Sequence, residues 1–218
     1  GINLVATQTP YERDSFDEQY DAKAMYPAVD ENSLTKALAT RNSIINLGDD
    51  IVATKDFAIK SIGVKPVVNL NEKAIRFTNN GTNQGFGFRA YNGTILTING
   101  NGTITSNPDE GNATSDVDSK QYGGYSVTAE SGGKVVINGG HYIANVTAVY
   151  ANGGTVEING GFFDYIRFPN SSFKGRYLLN LKDNNASSKI IVKGGTFVNF
   201  NPADNQAEGP GTDFVAEG

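Results

Sequence analysis

The chain has 218 residues, 38% of them hydrophobic, and a formal net charge of −5, which suits one large all-β domain or a solenoid with end caps. The absence of cysteine excludes disulfides, thiolate metal sites and cysteine nucleophiles together. The 26 glycines follow no G-x-y period, which excludes collagen, and no apolar run approaches the roughly 18 residues of a membrane span.

The chain begins at Gly1 rather than Met, which points to processing or trimming. Residues 1–30 form an arm with little periodicity. Counted to residue 31, seven acids stand there against Arg13 and Lys23. Tyr11, Phe16, Tyr20, Met25 and Tyr26 are spaced among the acids, a pattern suited to an anchor in a groove on a basic partner, or to a cover for the chain's own apolar surface. Asp30-Glu31-Asn32-Ser33 followed by LTKALA reads as a capped helix within 31–42. It would close the N-terminal end of the domain through Leu34, Ala37 and Leu38.

From residue 43 to 200 the chain repeats itself. TILTINGNGTI (94–104), KVVINGGHYI (134–143), TVEINGGFFD (155–164) and KIIVKGGTFV (189–198) share one pattern: two apolar residues flanking one other, then Asn or Lys, a Gly turn, and a second apolar pair. Ile137 and Ile158 stand 21 residues apart, the length of one solenoid coil. Alternation places Leu96/Ile98, Val135/Ile137, Val156/Ile158 and Ile190/Val192 inward. After the turn, Ile104, Tyr142, Phe163 and Phe197 form a second inward column. A third column reads Phe88/Ala90, Val127/Ala129, Ala148/Tyr150 and Leu179/Leu181. Two degraded coils precede these, with Ile45/Leu47 and Val68/Leu70 in the central slot and Ile75/Phe77 in the next. Three short strands per coil predict an all-β, right-handed parallel β-helix of about six coils with a short N-terminal helix cap. Residues 201–218 are left as an acidic tail.

Polar, turn-rich insertions at 107–122 and 168–176 break the period, and such additions collect on one side of a solenoid. Asp109, Glu110, Asp116 and Asp118 lie in the first of them and are weak Ca²⁺ candidates, since Ca²⁺ needs six to eight converging oxygens. Glu157 and Asp164 are the only carboxylates on consecutive strands of one coil, and no acid matches them one coil away. The single His141 follows a Gly turn at an outward position, without a second histidine to form a metal site. Outward Phe162 and the loop residues Tyr122, Tyr125 and Phe173 are candidate ligand contacts. Val136, Ile191, Val149, Ile143 and Val198 are apolar at outward slots and, with Tyr11, Phe16 and Tyr20, mark a candidate assembly surface. Seven N-x-S/T sequons fall largely where tight turns favour Asn.

The repeated φ-x-φ-N-G-G-x-φ wording resembles the pectate-lyase-like right-handed β-helix superfamily over residues 43–200. The stretch GGTFVNFNPADNQAEGPGTDFVAEG (194–218) is similar to the C-terminal signature of β-helix proteins of bacteriophages and gut bacteria. The NTD, DD, GHG and RIK motifs of polygalacturonases within that superfamily are missing. No catalytic residue, metal or cofactor is therefore expected. The sequence points to a non-catalytic structural protein on a virion surface or cell surface, most readily a capsid-associated, decoration or tail component of a bacteriophage. Expected partners are other virion or cell-surface proteins reached through residues 1–30, with homotrimerisation and a glycan ligand as further possibilities. No basic stripe with aromatic platforms is present, so nucleic acid is not expected. A carbohydrate-binding bacterial adhesin is the first alternative, and a polysaccharide lyase or glycosidase using the 107–122 loop with Glu157 or Asp164 is the second.

Overall fold

A computed structural model describes residues 25–78, 87–106, 124–144, 147–167, 175–209 and 211–217. In chain order the elements are β1 (Met25–Ala28), α1 (Glu31–Leu38), β2 (Ile44–Leu47), β3 (Ile51–Ala53), β4 (Phe57–Ile59), β5 (Val67–Asn69) and β6 (Ala74–Phe77). There follow β7 (Phe88–Ala90), β8 (Ile95–Asn99), β9 (Thr103–Ser106), β10 (Val127–Glu130), β11 (Lys134–Ile137) and β12 (His141–Ala144). The last strands are β13 (Val149–Asn152), β14 (Thr155–Ile158), β15 (Phe162–Tyr165), β16 (Leu179–Leu181), β17 (Lys189–Val192) and β18 (Thr196–Phe197), before a short 3₁₀ turn at Gln206–Glu208.

These strands form three sheets. Sheet A runs β1-β2-β5-β8-β11-β14-β17, sheet B runs β3-β6-β9-β12-β15-β18, and sheet C runs β4-β7-β10-β13-β16. All the strand pairings are parallel, and from β2 onward the chain visits A, B and C in turn before returning to A. This mostly-β arrangement is compatible with a parallel β-helix.

Alternation explains what lies inside. Ile45, Val68, Ile98, Ile137, Ile158 and Val192 share one inward column of sheet A, and Leu96, Val135, Val156 and Ile190 share the next. In sheet B the rings of Tyr142, Phe163 and Phe197 stack at centroid distances of 5.0 Å, as the second column predicts. Phe57, Phe77 and Phe88 make a further aromatic cluster nearer the N-terminal end. The buried side chains of all three sheets merge into one core, each buried Ile or Leu contributing about 1.5–3 kcal/mol. The turn from sheet A to sheet B repeats a glycine with positive φ at Gly140, Gly161 and Gly195, a conformation that costs other residues strain.

Three sequence expectations need correction. In β13 it is Val149 and Ala151 that pair with Val127 and Ala129 and point inward, leaving Tyr150 outside. Ala148 and Val149 are both buried because Ala148 sits at the bend into the strand, where alternation does not yet apply. In the early coils, Ile45 and Val68 take the position of Ile98, so Leu47 and Leu70 lie one step past the expected slot, beside the turn. Strand β4 went unrecognised, although Phe57 and Ile59 are buried in the third column.

The two ends of the stack are covered. Asp30 caps α1: its Oδ1 accepts the Ser33 backbone N–H at 2.7 Å, and the Ser33 hydroxyl oxygen accepts the Asp30 N–H. The Ser33 hydroxyl, donating to the Asp30 Oδ1 at 2.6 Å, and then the Ser33 backbone N–H hold the Asp30 carboxyl below its ordinary range. Leu34, Ala37 and Leu38 are buried as expected, and Glu31 reaches across to accept the N–H groups of Thr54 and Lys55. Residues 25–28, read from sequence as part of the arm, form the edge strand β1, where Pro27 removes one donor from the outermost ladder. At the other end Phe214 is buried, and Val192 exchanges hydrogen bonds with Phe214 and Ala216. Asp30→Ala is expected to lower the thermal midpoint while leaving the far-ultraviolet spectrum of the folded chain unchanged.

Candidate functional surface

The outer face of sheet A is organised by side-chain ladders. Asn46, Asn69, Asn99, Asn138 and Asn159 follow one another along the stack, each donating its amide N–H to the Oδ1 of the one before at 2.8, 3.1, 2.8 and 2.8 Å. Every interior amide thus donates along the stack and accepts from the next rung. Lys193 takes the next position and turns instead to Glu157.

Glu157 stands between two cations. Its Oε1 lies 2.7 Å from Lys193 Nζ and its Oε2 lies 3.1 Å from Lys134 Nζ, which joins three successive strands of sheet A. The hydrogen bonds from Lys193 and Lys134 hold the carboxyl down at about 2. A carboxyl so held stays ionised at neutral pH and is a poor proton donor. Asp164, the other acid considered for catalysis, pairs with Arg167 at 2.9 Å. The depressed Glu157 contributes stability above the ordinary glutamate value near pH 4.3, lost as pH falls from there toward about 2. With exposed lysine partners the contribution is about 1 kcal/mol. Glu157→Gln should therefore lower stability modestly at pH 7 and flatten the acid limb of a pH titration of unfolding.

Beside these polar groups runs an apolar column. Met25, Ile44, Val67, Thr97, Val136, Glu157 and Ile191 occupy successive outward positions of sheet A. Met25 is 68% exposed, whereas Ile44, Val67, Val136 and Ile191 are half-buried by their neighbours. Val136 and Ile191 are thus outward as expected, and the column extends further toward the N-terminal end than the sequence reading proposed.

Sheet B carries Ile143 at an outward, half-buried position, whereas Val198, expected outward as well, lies in the turn after β18 and packs against the core. Phe162 is 39% exposed, with its ring edge-to-face against His141 at 4.8 Å. His141 Nε2 has no hydrogen-bond partner although that atom is buried.

Sheet C is different in kind. Glu130 is nearly buried, with Arg89 Nη2 at 2.6 Å and Nε at 2.8 Å from its Oε1, and with Asn152 donating to its Oε2. Asn185 continues the row by donating to Asn152. Lys60 and Arg89 both lie over the Tyr91 ring, at 5.2 and 5.1 Å from its centroid. Tyr125, expected as a loop contact, is instead buried and stacked on Tyr150 at 4.6 Å. Burial, reinforced by the charges of Glu130, Asp183 and Glu208, pushes the Tyr150 hydroxyl up to about 12. Glu208 is raised by burial and by Asp183, while its Oε1 accepts the Leu181 N–H and ties the C-terminal segment to the edge of sheet C. None of this network was read from sequence. Its only advance signal was the alternation of alanine with polar, charged or aromatic residues in Arg89-Ala90-Tyr91 and Thr128-Ala129-Glu130.

Among the described residues no three His, Asp or Glu side chains are grouped as a metal site requires. Asp109, Glu110, Asp116, Asp118, Tyr122, Phe173, Tyr11, Phe16 and Tyr20 lie outside the described residues. No described helix is long and apolar enough to cross a membrane.

One feature of the topology groups the insertions. The connections containing 79–86, 107–123, 145–146 and 168–174 all lead from a strand of sheet B to the next strand of sheet C. The connections from A to B hold three or four residues, and those from C to A run from two to seven.

No family model, no curated protein and no solved structure matches this chain.

Proposed function

We propose that the three sheets close into a right-handed parallel β-helix of about six coils, in the manner of the pectate-lyase-like superfamily. We further propose that the chain is a non-catalytic structural protein that holds variable loops at a fixed place on a rigid body. The observation that carries this reading is the grouping of the longest insertions in the B-to-C connections, while the ladders of sheet A and the covered ends serve rigidity. Loops set on a stiff scaffold are the ordinary way a solenoid presents a binding edge.

The setting that suits such a body is the outside of a particle or cell. The C-terminal stretch 194–218, similar to phage and gut-bacterial β-helix proteins, favours a bacteriophage virion component, capsid-associated or tail-borne. In this reading the acidic, aromatic-bearing arm is the anchor for a basic partner, and three copies assemble as in tailspikes. Mass spectrometry of purified particles, together with the neighbouring genes, tests the setting. The chain should be found in stoichiometric amount among virion proteins. Its absence from particles, with no phage genes nearby, would move the reading to a bacterial surface.

A second reading, a carbohydrate-binding adhesin, is favoured by exposed Phe162 against His141 on sheet B. It requires saturable binding on a glycan array that Phe162→Ala abolishes. The absence of catalysis is also part of the proposal, supported by the ion pairing of Glu157 and Asp164. Incubation with acidic and neutral polysaccharides, with and without Ca²⁺, should release neither reducing ends nor unsaturated products. Either product would establish a lyase or glycosidase instead.

A further inference from the structure

We propose that Asn92 and Asn101 are sites of spontaneous deamidation, and that the asparagine ladder shields other Asn-Gly pairs of the chain from the same reaction. Six Asn-Gly pairs lie among the described residues, beginning at Asn92, Asn99, Asn101, Asn138, Asn152 and Asn159. In such a pair the glycine nitrogen, having given its proton to base, attacks the asparagine Cγ, and the side-chain nitrogen leaves as ammonia. Water then opens the five-membered imide at one carbonyl or the other, leaving Asp or isoAsp and one more negative charge. Glycine favours the attack because no side chain hinders its nitrogen. Packing calls for that glycine beside the ladder: a Cβ on Gly139 would lie 2.8 Å from the Gly100 carbonyl oxygen, and one on Gly160 3.2 Å from that of Asn138. A labile dipeptide is thus built into this corner on successive rungs.

Exposure does not separate the six, since Asn92, Asn101, Asn138 and Asn159 are all exposed. Hydrogen bonding does. Asn92 and Asn101 make no side-chain hydrogen bond among the described residues, so the Cγ of each is free to swing onto Gly93 or Gly102. Asn99 and Asn138 each donate from Nδ2 and accept at Oδ1, and the same rotation breaks two bonds. At the end of the ladder Asn159 donates to Asn138, but its own Oδ1 accepts nothing among the described residues, because Lys193 turns to Glu157. Asn152 is held by Glu130 and Asn185, and its attacking nitrogen is engaged too: the Gly153 N–H donates to Ser188 Oγ at 2.8 Å. Losing two such bonds on the way to the imide slows the step roughly tenfold, and losing one slows it a few-fold. The inference concerns the free chain and stands or falls independently of the virion setting.

The test incubates the folded full-length chain for weeks in mildly alkaline heavy-oxygen water, which marks each Asp or isoAsp as it forms. Peptide mass spectrometry reads the rate at each of the six positions. The reference is the same chain unfolded in guanidinium chloride, where all six should convert at comparable rates. The expected order is Asn92 and Asn101 near their unfolded rates, Asn159 a few-fold slower, and Asn99, Asn138 and Asn152 slower by roughly tenfold. Two variants assign the protection to named bonds. Asn99→Ala removes the acceptor of Asn138 and should speed Asn138 a few-fold without changing Asn92. Ser188→Ala frees the Gly153 N–H and should speed Asn152 alone among the six. Where a variant fails to fold, the order in the unaltered chain still decides. Rates that follow exposure, with Asn138 as fast as Asn92 and Asn101, would overturn the proposal. So would Asn92 and Asn101 held as slow as the ladder positions, or rates at Asn138 and Asn152 indifferent to both substitutions in folded variants.

Discussion

Ile158→Asp is expected to abolish the folded state, while Glu157→Gln one residue away leaves it intact. Ile158 is fully buried in β14, the last strand of sheet A but one, between Ile137 and Val192 of the adjoining strands. The substitution removes a buried side chain contributing about 1.5–3 kcal/mol. It also places a carboxyl inside the hydrophobic core, a cost of several kcal/mol more even when protonated. The sum is about equal to the whole stability of an ordinary domain, ~5–15 kcal/mol. Because each rung is supported by its neighbours, the loss is not confined to one strand. Circular dichroism and gel filtration read the outcome: a random-coil spectrum with an expanded elution volume for the variant, and native values for Glu157→Gln. A cooperative melt within a few degrees of the parent would mean that position 158 does not face the core.

The columns of the central coils were legible because their period is short and their residues unambiguous. In KVVINGG and TVEINGG, alternation and the Gly turn agree, and the observed register Val135↔Val156, Ile137↔Ile158 follows directly. The capping helix was legible for a similar reason, since Asp30 and Ser33 form a local motif that needs no tertiary context. Where two apolar alignments competed, the reading slipped. Setting Leu47 and Leu70 beside Ile98 puts Asn46 and Asn69 in the middle of an outward slot and hides the asparagine ladder. With Ile45 and Val68 in that position, Asn46, Asn69, Asn99, Asn138 and Asn159 fall into one column without any gap. The hydrophobic pattern alone could not choose, because Leu70 is buried in either register. Its side chain fills the corner beneath the glycine turns, 2.8 Å from where a Cβ on Gly140 would lie.

The same slip explains Val149. In the run Thr147-Ala148-Val149-Tyr150-Ala151, both parities offer an apolar pair, and the larger residue, Tyr150, was assigned to the core. The structure puts Tyr150 outside, stacked on Tyr125, because Leu178 has already turned the chain: its carbonyl accepts both the Ala148 and the Val149 N–H. Polar contacts across coils were the least legible. Arg89 and Glu130 are 41 residues apart, Lys134 and Glu157 23, and only the stacking brings them together. Ion pairs of this kind are set by register, so an error of one residue in a column erases them from a sequence reading.

Gly133→Ala should destabilise the chain by about 3 kcal/mol or more, although it adds a single methyl group at the turn from sheet C to sheet A. The reason is backbone proximity. A Cβ on Gly133 would lie 2.2 Å from the carbonyl oxygen of Ala90 and 2.5 Å from its carbonyl carbon, both main-chain atoms of the preceding rung. Neither can rotate away as a side chain would. Gly154 repeats the constraint one rung later, where a Cβ would come within 2.7 Å of the Gly133 carbonyl oxygen. Gly133 also donates its N–H to Glu130 and accepts from Thr155, so relieving the clash means breaking the link from sheet C to sheet A on two rungs. The matching control is Gly100→Ala at the other corner. There φ is +83°, yet the nearest atom to an added Cβ is 3.8 Å away, and the cost is the backbone strain alone, about 1–2 kcal/mol. Urea unfolding of the two variants side by side separates close packing from conformational preference. If Gly100→Ala proves the more damaging of the two, positive φ rather than rung-to-rung contact is what demands glycine at these corners.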